Sequence, residues 1–283
     1  MRVLATVAEV RAAVDGARAS GVTVGFVPTM GSLHEGHTSL MAAARAECDL
    51  VVASIFVNPL QFGAEEDLDG YPRTLEQDIA LAADAAVDVV FAPSAAEMYP
   101  RPVLTTVTVA DLTERFEGAS RPEHFAGVAT VVAKLLGIVG ASRAYFGEKD
   151  WQQLCVVRRM VADLSSPTTV VACPTVREPD GLALSSRNAY LAPAERAAAA
   201  VLHRALQEGG ALVEAGERSR AAVERHMEEA VAAEPLVDLD YAAAVEADTL
   251  ASLDPLQGAV RLLIAARVGR PRLLDNLGLT VPG

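Results

Sequence analysis

Between residues 7 and 172, short apolar runs rich in β-branched residues alternate with longer segments of helical period, and no other feature restricts the chain as strongly. A helix is predicted over 7–19, a strand over 22–27 and a loop over 28–36, where Pro28, Gly31 and Gly36 break both periods. A helix over 37–48 follows, then a buried strand over 50–57 that stops at Asn58-Pro59 because proline cannot continue a central ladder. The alternation goes on with helices over 74–86, 126–139 and 151–164 and strands over 87–91, 103–109, 144–146 and 169–172. Strands joined through helices pair in parallel, so the expected fold class is α/β, a Rossmann-like doubly wound parallel sheet with its ligand site at the strands' C-terminal ends. After Cys173-Pro174 the pattern changes to a loop over 177–188, Ala-rich helices near 193–208 and 218–233, and two alternating segments over 237–245 and 259–268. A boundary near residue 175 divides the chain into a domain of 1–175 and a smaller C-terminal α+β domain of 176–283.

A chain of 283 residues can bury a core without disulfides or metals, and 51% hydrophobic with 22% charged residues is ordinary globular composition. The 24 basic against 37 acidic residues give a net charge of -13, which disfavours nucleic acid or an anionic membrane as a partner. A small anionic substrate held by local donors stays compatible with it, since charge is screened beyond about 8 Å. Cys48, Cys155 and Cys173 are odd in number, widely spaced and form no CxxC pair, so a reduced, cytoplasmic protein is expected. The longest uncharged stretch, residues 19–34, is 16 long and broken by Pro and Gly, too short for a membrane span. Glu9, Arg11 and Asp15 interrupt what a signal peptide would need, and secretion is not expected.

Polar, glycine-punctuated sequence concentrates in the segments after the predicted strands. In Pro28-Thr29-Met30-Gly31-Ser32-Leu33-His34-Glu35-Gly36-His37, two histidines straddle a glycine at a helix start, where free N–H groups and the helix dipole favour an anion. Imidazoles there can donate to oxygens whose charge grows as a P–O bond breaks, or the segment can be a plain capping loop. No cysteine lies at zinc-ligand spacing, and Walker, GxGxxG and GxSxG patterns are absent.

Asn58 and Gln61 set two amides just past a strand end, suited to hydroxyls and a carboxylate or to a simple Asn-Pro turn. Asp67-Leu68-Asp69-Gly70-Tyr71-Pro72-Arg73 is a polar connector or a lid. The chain has two lysines, Lys134 and Lys149, against 22 arginines, so the ammonium of Lys149 beside Gly147 at a strand-end loop points to a phosphate contact, with a solvated surface charge as the alternative. Lys134, in an apolar helical pattern, reads as a snorkelling side chain. Ser185, Ser186 and Arg187 could clamp a triphosphate at the domain boundary. Arg121 and His124 are either contacts for an anionic substrate or solvated loop residues.

The segments PTMGSLHEGH, FVNPLQF, EDLDGYPRT, HFAGVATVV, YFGEKDWQQL and LSSRN, in this order, resemble the pantoate–β-alanine ligases of the HxGH nucleotidyltransferase superfamily. Glu123 stands where that family usually has Gly. The resemblance implies a two-step reaction in which Mg²⁺-ATP and pantoate give pantoyl adenylate and pyrophosphate, and β-alanine then displaces AMP. It implies catalytic roles for His34, His37 and Lys149, and ATP contacts from these three with Met30, Gly147 and Asp150. Val176, Leu184, Ser185, Ser186 and Arg187 would complete the ATP set. Pantoate would be held by Met30, Gln61 and Gln153, and β-alanine by Asn58, Gln61, Tyr71 and Arg121. The resemblance further implies a homodimer formed through the N-terminal domains, with the C-terminal domain closing over the active site and no nucleic acid or membrane partner. Another HxGH nucleotidyltransferase and a catalytically silent nucleotide-binding module are the alternatives.

Overall fold

The computed structural model describes residues 1–63, 68 and 70–282. Asp67 and Asp69 of the polar connector lie outside the described residues. The chain forms two compact units, one of Met1–Glu148 with Gln152–Pro174 and one of Lys149–Trp151 with Thr175–Gly283.

In the first unit β1 (Arg2–Leu4), α1 (Val7–Ala19), β2 (Val24–Thr29), α2 (Glu35–Glu47), β3 (Leu50–Ile55), α3 (Leu75–Asp84) and β4 (Val89–Phe91) follow one another. Short helices α4 (Ala95–Met98) and α5 (Glu117–Ser120) precede α6 (His124–Val139), β5 (Arg143–Gly147), α7 (Trp151–Asp163) and β6 (Thr169–Cys173). The six strands pair in parallel in the order β1-β4-β3-β2-β5-β6. The central strand β2 is Val-Gly-Phe-Val-Pro-Thr and is buried along nearly its whole length, as expected where helices cover both faces. The chain leaves β2 toward β3 on one side and returns to β5 on the other, so the switch point of the sheet lies between β2 and β5. The loops after these two strands are therefore where a ligand crevice opens.

The expected doubly wound sheet is present, with one strand misplaced and one unforeseen. Residues 103–109 alternate in sequence but form no strand: Leu104 is 94% exposed, and the Val107 N–H donates to the Thr130 hydroxyl instead of to a ladder. β1 is only 3 residues long, too brief for periodicity to reveal. Glu123 adopts φ -96 and ψ -9, a conformation open to any residue, so that turn does not require glycine.

In the second unit α8 (Pro193–Ala198), α9 (Val201–Glu214) and α10 (Arg220–Ala232) precede three antiparallel strands, β7 (Val237–Glu246), β8 (Gly258–Val268) and β9 (Arg272–Val281), in the order β7-β8-β9. Helices α9 and α10 pack on this sheet over Leu202, Leu206, Met227, Leu262 and Ile264. The single helix expected over 193–208 is divided between α8 and α9. Sequence periodicity does not reveal β9, because Asp275, Asn276 and Gly278 interrupt its apolar pattern; Asp275 and Asn276 are buried nonetheless.

Candidate active site

The loop after β2 is fixed before any histidine is reached. Thr29, at the strand end, donates its hydroxyl to the Ser54 carbonyl and accepts from the Gly31 N–H. Gly31 has φ +84, and a Cβ there would stand 2.9 Å from Asp78 Oδ2, so the position needs glycine twice over. Asp78 projects from the first turns of α3 and is 1% exposed. Its carboxylate accepts from the Ser32 N–H at 3.0 Å and the Leu33 N–H at 2.7 Å, and from the Thr74 hydroxyl at 3.3 Å. Ser32 is held at φ 51, a conformation that costs a non-glycine residue about 1–2 kcal/mol and persists through these bonds.

The two histidines then cap α2 reciprocally. His34 is the N-cap, and its Nδ1 accepts from the Gly36 N–H at 3.1 Å. His37 Nδ1 accepts from the His34 N–H at 3.3 Å, and the ring centroids are 4.2 Å apart. This is a capping box built of imidazoles. Because both Nδ1 atoms accept, the hydrogen of each neutral ring is on Nε2. Capping, one of the two alternatives in the sequence, is thus present, and it fixes each ring with Nε2 as the protonated nitrogen at a helix N-terminus.

Past β3, Asn58 caps a short 3-10 turn, Pro59–Gln61. Asn58 Oδ1 accepts from the Tyr99 hydroxyl at 2.8 Å and the Leu60 N–H at 3.3 Å, while its Nδ2 donates to Gln61 Oε1 and the Gly127 carbonyl, each at 3.2 Å. Both lone-pair sites and both amide hydrogens are engaged, and the residue is 1% exposed. Through the bond to its Oε1, Asn58 orients Gln61. Gln61 Nε2 reaches Met30 Sδ at 3.0 Å, which brings Met30 and Gln61 together. The turn lies against α6 at Gly127, where a Cβ would be 2.1 Å from the Leu60 carbonyl oxygen, so any larger residue would displace it. Nothing in the sequence singles out Tyr99. Burial pushes its phenol up to about 12, and Lys134 Nζ sits 5.6 Å over its ring, which gives that lysine a partner.

Arg121 is tied to the same turn through His124. His124 Nδ1 is 2.9 Å from the Gln61 carbonyl, and its Nε2 is 3.1 Å from Arg121 Nη1. A carbonyl only accepts and a guanidinium only donates, so the ring carries its hydrogen on Nδ1 and is neutral. Tyr71 packs edge-on to Phe62 at 5.7 Å. Gly147 ends β5 at the switch point, and a Cβ there meets nothing within 4 Å. In the first turn of α7 the amide of Gln152 is buried and engaged by Leu112, Arg115 and Glu117 backbone groups, whereas Gln153 is only half-buried.

The second unit gathers the remaining expected residues. Val176 and Leu184 meet across a hairpin, with the Leu184 N–H donating to the Val176 carbonyl at 2.9 Å. Ser185 caps a 3-10 turn, Ser186–Tyr190, by accepting from the Arg187 N–H. Lys149, Ser185, Arg187, Asn188, Arg272 and Asp275 line one pocket. The side chain of Lys149 is 17% exposed, with Nζ 3.6 Å from Asp150 Oδ1. Lys149 is thus a pocket residue, not a solvated surface charge.

A parallel sheet whose switch-point strand opens onto HxGH, with amides on the next loop and a lysine–serine–arginine pocket in a second unit, defines a Rossmann-like protein of the HxGH nucleotidyltransferase class. The family model described as pantoate-beta-alanine ligase matches residues 2–278. The chain belongs to this ligase family. It is 55% identical over 281 residues to the pantothenate synthetase of Moorella thermoacetica, covering 99% of both chains. It superposes on the crystal structure of the Thermus thermophilus pantothenate synthetase with TM-score 0.92 at 53% identity, covering 98% of this chain and 99% of that one. The Francisella tularensis pantoate-beta-alanine ligase, crystallised with beta-gamma ATP and beta-alanine, matches with TM-score 0.80 at 33% identity, covering 98% of this chain and 97% of that one.

Proposed function

We propose that the chain condenses pantoate with β-alanine in an ATP-dependent reaction, through a pantoyl-adenylate intermediate. A pantoate carboxylate oxygen attacks the α-phosphorus, the bond to the pyrophosphate oxygen breaks, and pyrophosphate leaves. The amine of β-alanine then attacks the acyl carbon of the mixed anhydride, AMP departs, and the amine's surplus protons pass to solvent. Pantoate supplies the attacking oxygen, so the protein's task is positioning and charge stabilisation.

The observation that carries this proposal is the imidazole capping box at the switch point. Rings locked through Nδ1 direct Nε2–H donors without reorganisation, which suits the charge that develops on the transferring phosphoryl group. Lys149, Ser185, Ser186 and Arg187 take phosphate oxygens, with Val176, Leu184, Gly147 and Asp150 against the nucleoside. Met30, Gln61 and Gln153 take pantoate. Asn58, Gln61, Tyr71 and Arg121 serve the β-alanine end. Among the described residues no group of three or more His, Cys, Asp or Glu could hold a metal. That donor set fits Mg²⁺ that arrives on ATP, held by phosphate oxygens and water.

A homodimer through the first unit is part of the proposal. It is supported by residues 103–109, which pair with no strand and where Leu104 is almost fully exposed. No helix among the described residues is long and apolar enough to cross a membrane, and the three cysteines are buried thiols, in keeping with a cytoplasmic location.

The test is pyrophosphate exchange into ATP, which requires pantoate and Mg²⁺ but not β-alanine, while AMP formation requires all of them. His37→Ala is expected to lower the exchange rate by about 10²–10³-fold, the usual loss for one preorganised donor. A loss of tenfold or less would remove the role given to the capping box.

A further inference from the structure

Lys149 is the residue whose position is hardest to explain from its own neighbours in sequence. It follows β5, yet residues 149–151 belong to the second unit. The reason is a set of buried contacts with the C-terminal sheet. The main-chain carbonyl of Lys149 accepts from Asn276 Nδ2 at 2.8 Å. Asn276 Oδ1 accepts from Arg261 Nε at 2.7 Å. The Arg261 guanidinium lies 3.5 Å from the centroid of the Trp151 ring, and Trp151 Nε1 donates to the Ala247 carbonyl at 2.7 Å.

These contacts leave no freedom in the amide of Asn276. A guanidinium only donates, so the oxygen must face Arg261 and the nitrogen must face Lys149. Asn276 is 4% exposed, Arg261 7% and Trp151 8%, so water does not compete for them. On the other side of Asn276, its own N–H donates to Asp275 Oδ1 at 2.7 Å, and Asp275 receives both ends of the Arg177 guanidinium at 2.6 and 2.9 Å. β9 thereby holds the lysine backbone through one residue and lines the pocket with the preceding one.

We propose that Asn276, oriented by Arg261, is the positioning residue for Lys149, an inference that rests on the phosphate role proposed above for that lysine. A lysine side chain swings on four rotatable bonds, so its ammonium is placed only as well as its main chain is held. With the carbonyl of Lys149 tied to β9, the ammonium shares one rigid frame with Ser185 and Arg187. A displacement of about 1 Å at such a contact can cost about 10²-fold. The same frame holds the chain's single tryptophan, two residues from Lys149, which makes its emission an internal reporter of the anchor.

The experiment compares wild type, Lys149→Ala, Asn276→Ala and the double variant by calorimetric titration with α,β-methylene ATP and Mg²⁺. Lys149→Ala is expected to weaken binding by about 10–100-fold, the loss of a charge-assisted contact. Asn276→Ala should weaken it by roughly 5–10-fold, part of that same loss. The double variant should bind no more weakly than Lys149→Ala alone. Losses that multiply in the double variant, or wild-type affinity in Asn276→Ala, overturn the positioning role and leave the lysine's role standing. Wild-type affinity in Lys149→Ala overturns the lysine's role itself. Trp151 emission should shift to the red in Asn276→Ala and stay in place in Lys149→Ala; an unmoved spectrum in Asn276→Ala counts against the anchor. Should Asn276→Ala fail to fold, Arg261→Lys takes its place. It keeps the charge but loses the Nε donor and the flat stack, and the same comparison decides.

Discussion

Replacing Asp78 by Asn probes whether the HxGH loop is held from beneath. The substitution preserves volume and one oxygen, but the new NH₂ group faces the N–H of either Ser32 or Leu33, both of which now meet a carboxylate oxygen. A bond to a charged acceptor contributes about 1.5–3 kcal/mol, and a buried donor left unmet costs about 1–3 kcal/mol. One bond is lost, one donor is orphaned and the surviving bond drops from charged to neutral. The expected penalty is therefore about 3 kcal/mol, enough to release Ser32 from its left-handed conformation. If the loop gives way while the rest of the unit stays folded, the penalty falls on catalysis as a loss of about 10²-fold in pyrophosphate exchange.

Urea unfolding measured beside the exchange assay separates the two destinations of that energy. A variant with intact stability and exchange within about threefold of wild type would refute the clamp. Ser32→Gly supplies a control of opposite sign: glycine adopts the required φ without strain, so stability should be unchanged or rise by up to about 1 kcal/mol. A marked loss in that variant would mean the serine side chain contributes something beyond its backbone.

Four further outcomes are expected. Tyr99→Phe removes one buried hydrogen bond to Asn58, so stability should fall by about 1 kcal/mol and the KM for pantoate should rise more than kcat falls, since Gln61 loses its support; an unchanged KM would sink that chain of support. The raised phenol pKa means that the folded state keeps its proton longer than the unfolded chain, so stability is intact below about pH 10 and is lost as pH rises toward 12. Alkaline unfolding curves of Tyr99→Phe should therefore be shallower than wild type over that window. Burial, reinforced by the charges of Glu47 and Glu148, raises the Cys173 thiol to about 11, so roughly one molecule in 10³ carries the thiolate at pH 8. With all three cysteines buried, native protein should show no fast-reacting thiol toward an aromatic disulfide reagent, and rapid release of one equivalent would contradict the burial. Arg177→Ala leaves the Asp275 carboxylate, 3% exposed, without its bidentate partner and should destabilise the second unit by about 3–5 kcal/mol in urea titration; a loss below about 1 kcal/mol would show that water replaces the guanidinium.

The sheet of the first unit was legible because its central strands are buried on both faces and read as unbroken apolar runs between glycine- and proline-rich loops. The same rule failed for residues 103–109, whose alternation matches a half-buried strand although no neighbouring strand among the described residues accepts it; alternation reports a preference for extension, and pairing is decided by what lies alongside. β9 failed in the opposite sense. Asp275 and Asn276 look like a turn in sequence, and partners such as Arg177 and Arg261, roughly 100 and 15 residues away, make their burial tolerable.

The candidate site divides along the same physical line. Histidines, amides and the rare lysine stand out because their chemistry is uncommon in their local context and they sit on loops that follow strands. The residues that hold them do not stand out: Asp78 is one acid in a helix, Tyr99 one aromatic after a short turn, Asn276 one amide in a strand. Each of these three completes its meaning only through a partner distant in sequence, such as Ser32, Asn58 or the carbonyl of Lys149. Groups proposed to meet the substrate are thus visible one at a time, whereas those that set their geometry are visible only in pairs, and the pairs exist only once the chain has folded.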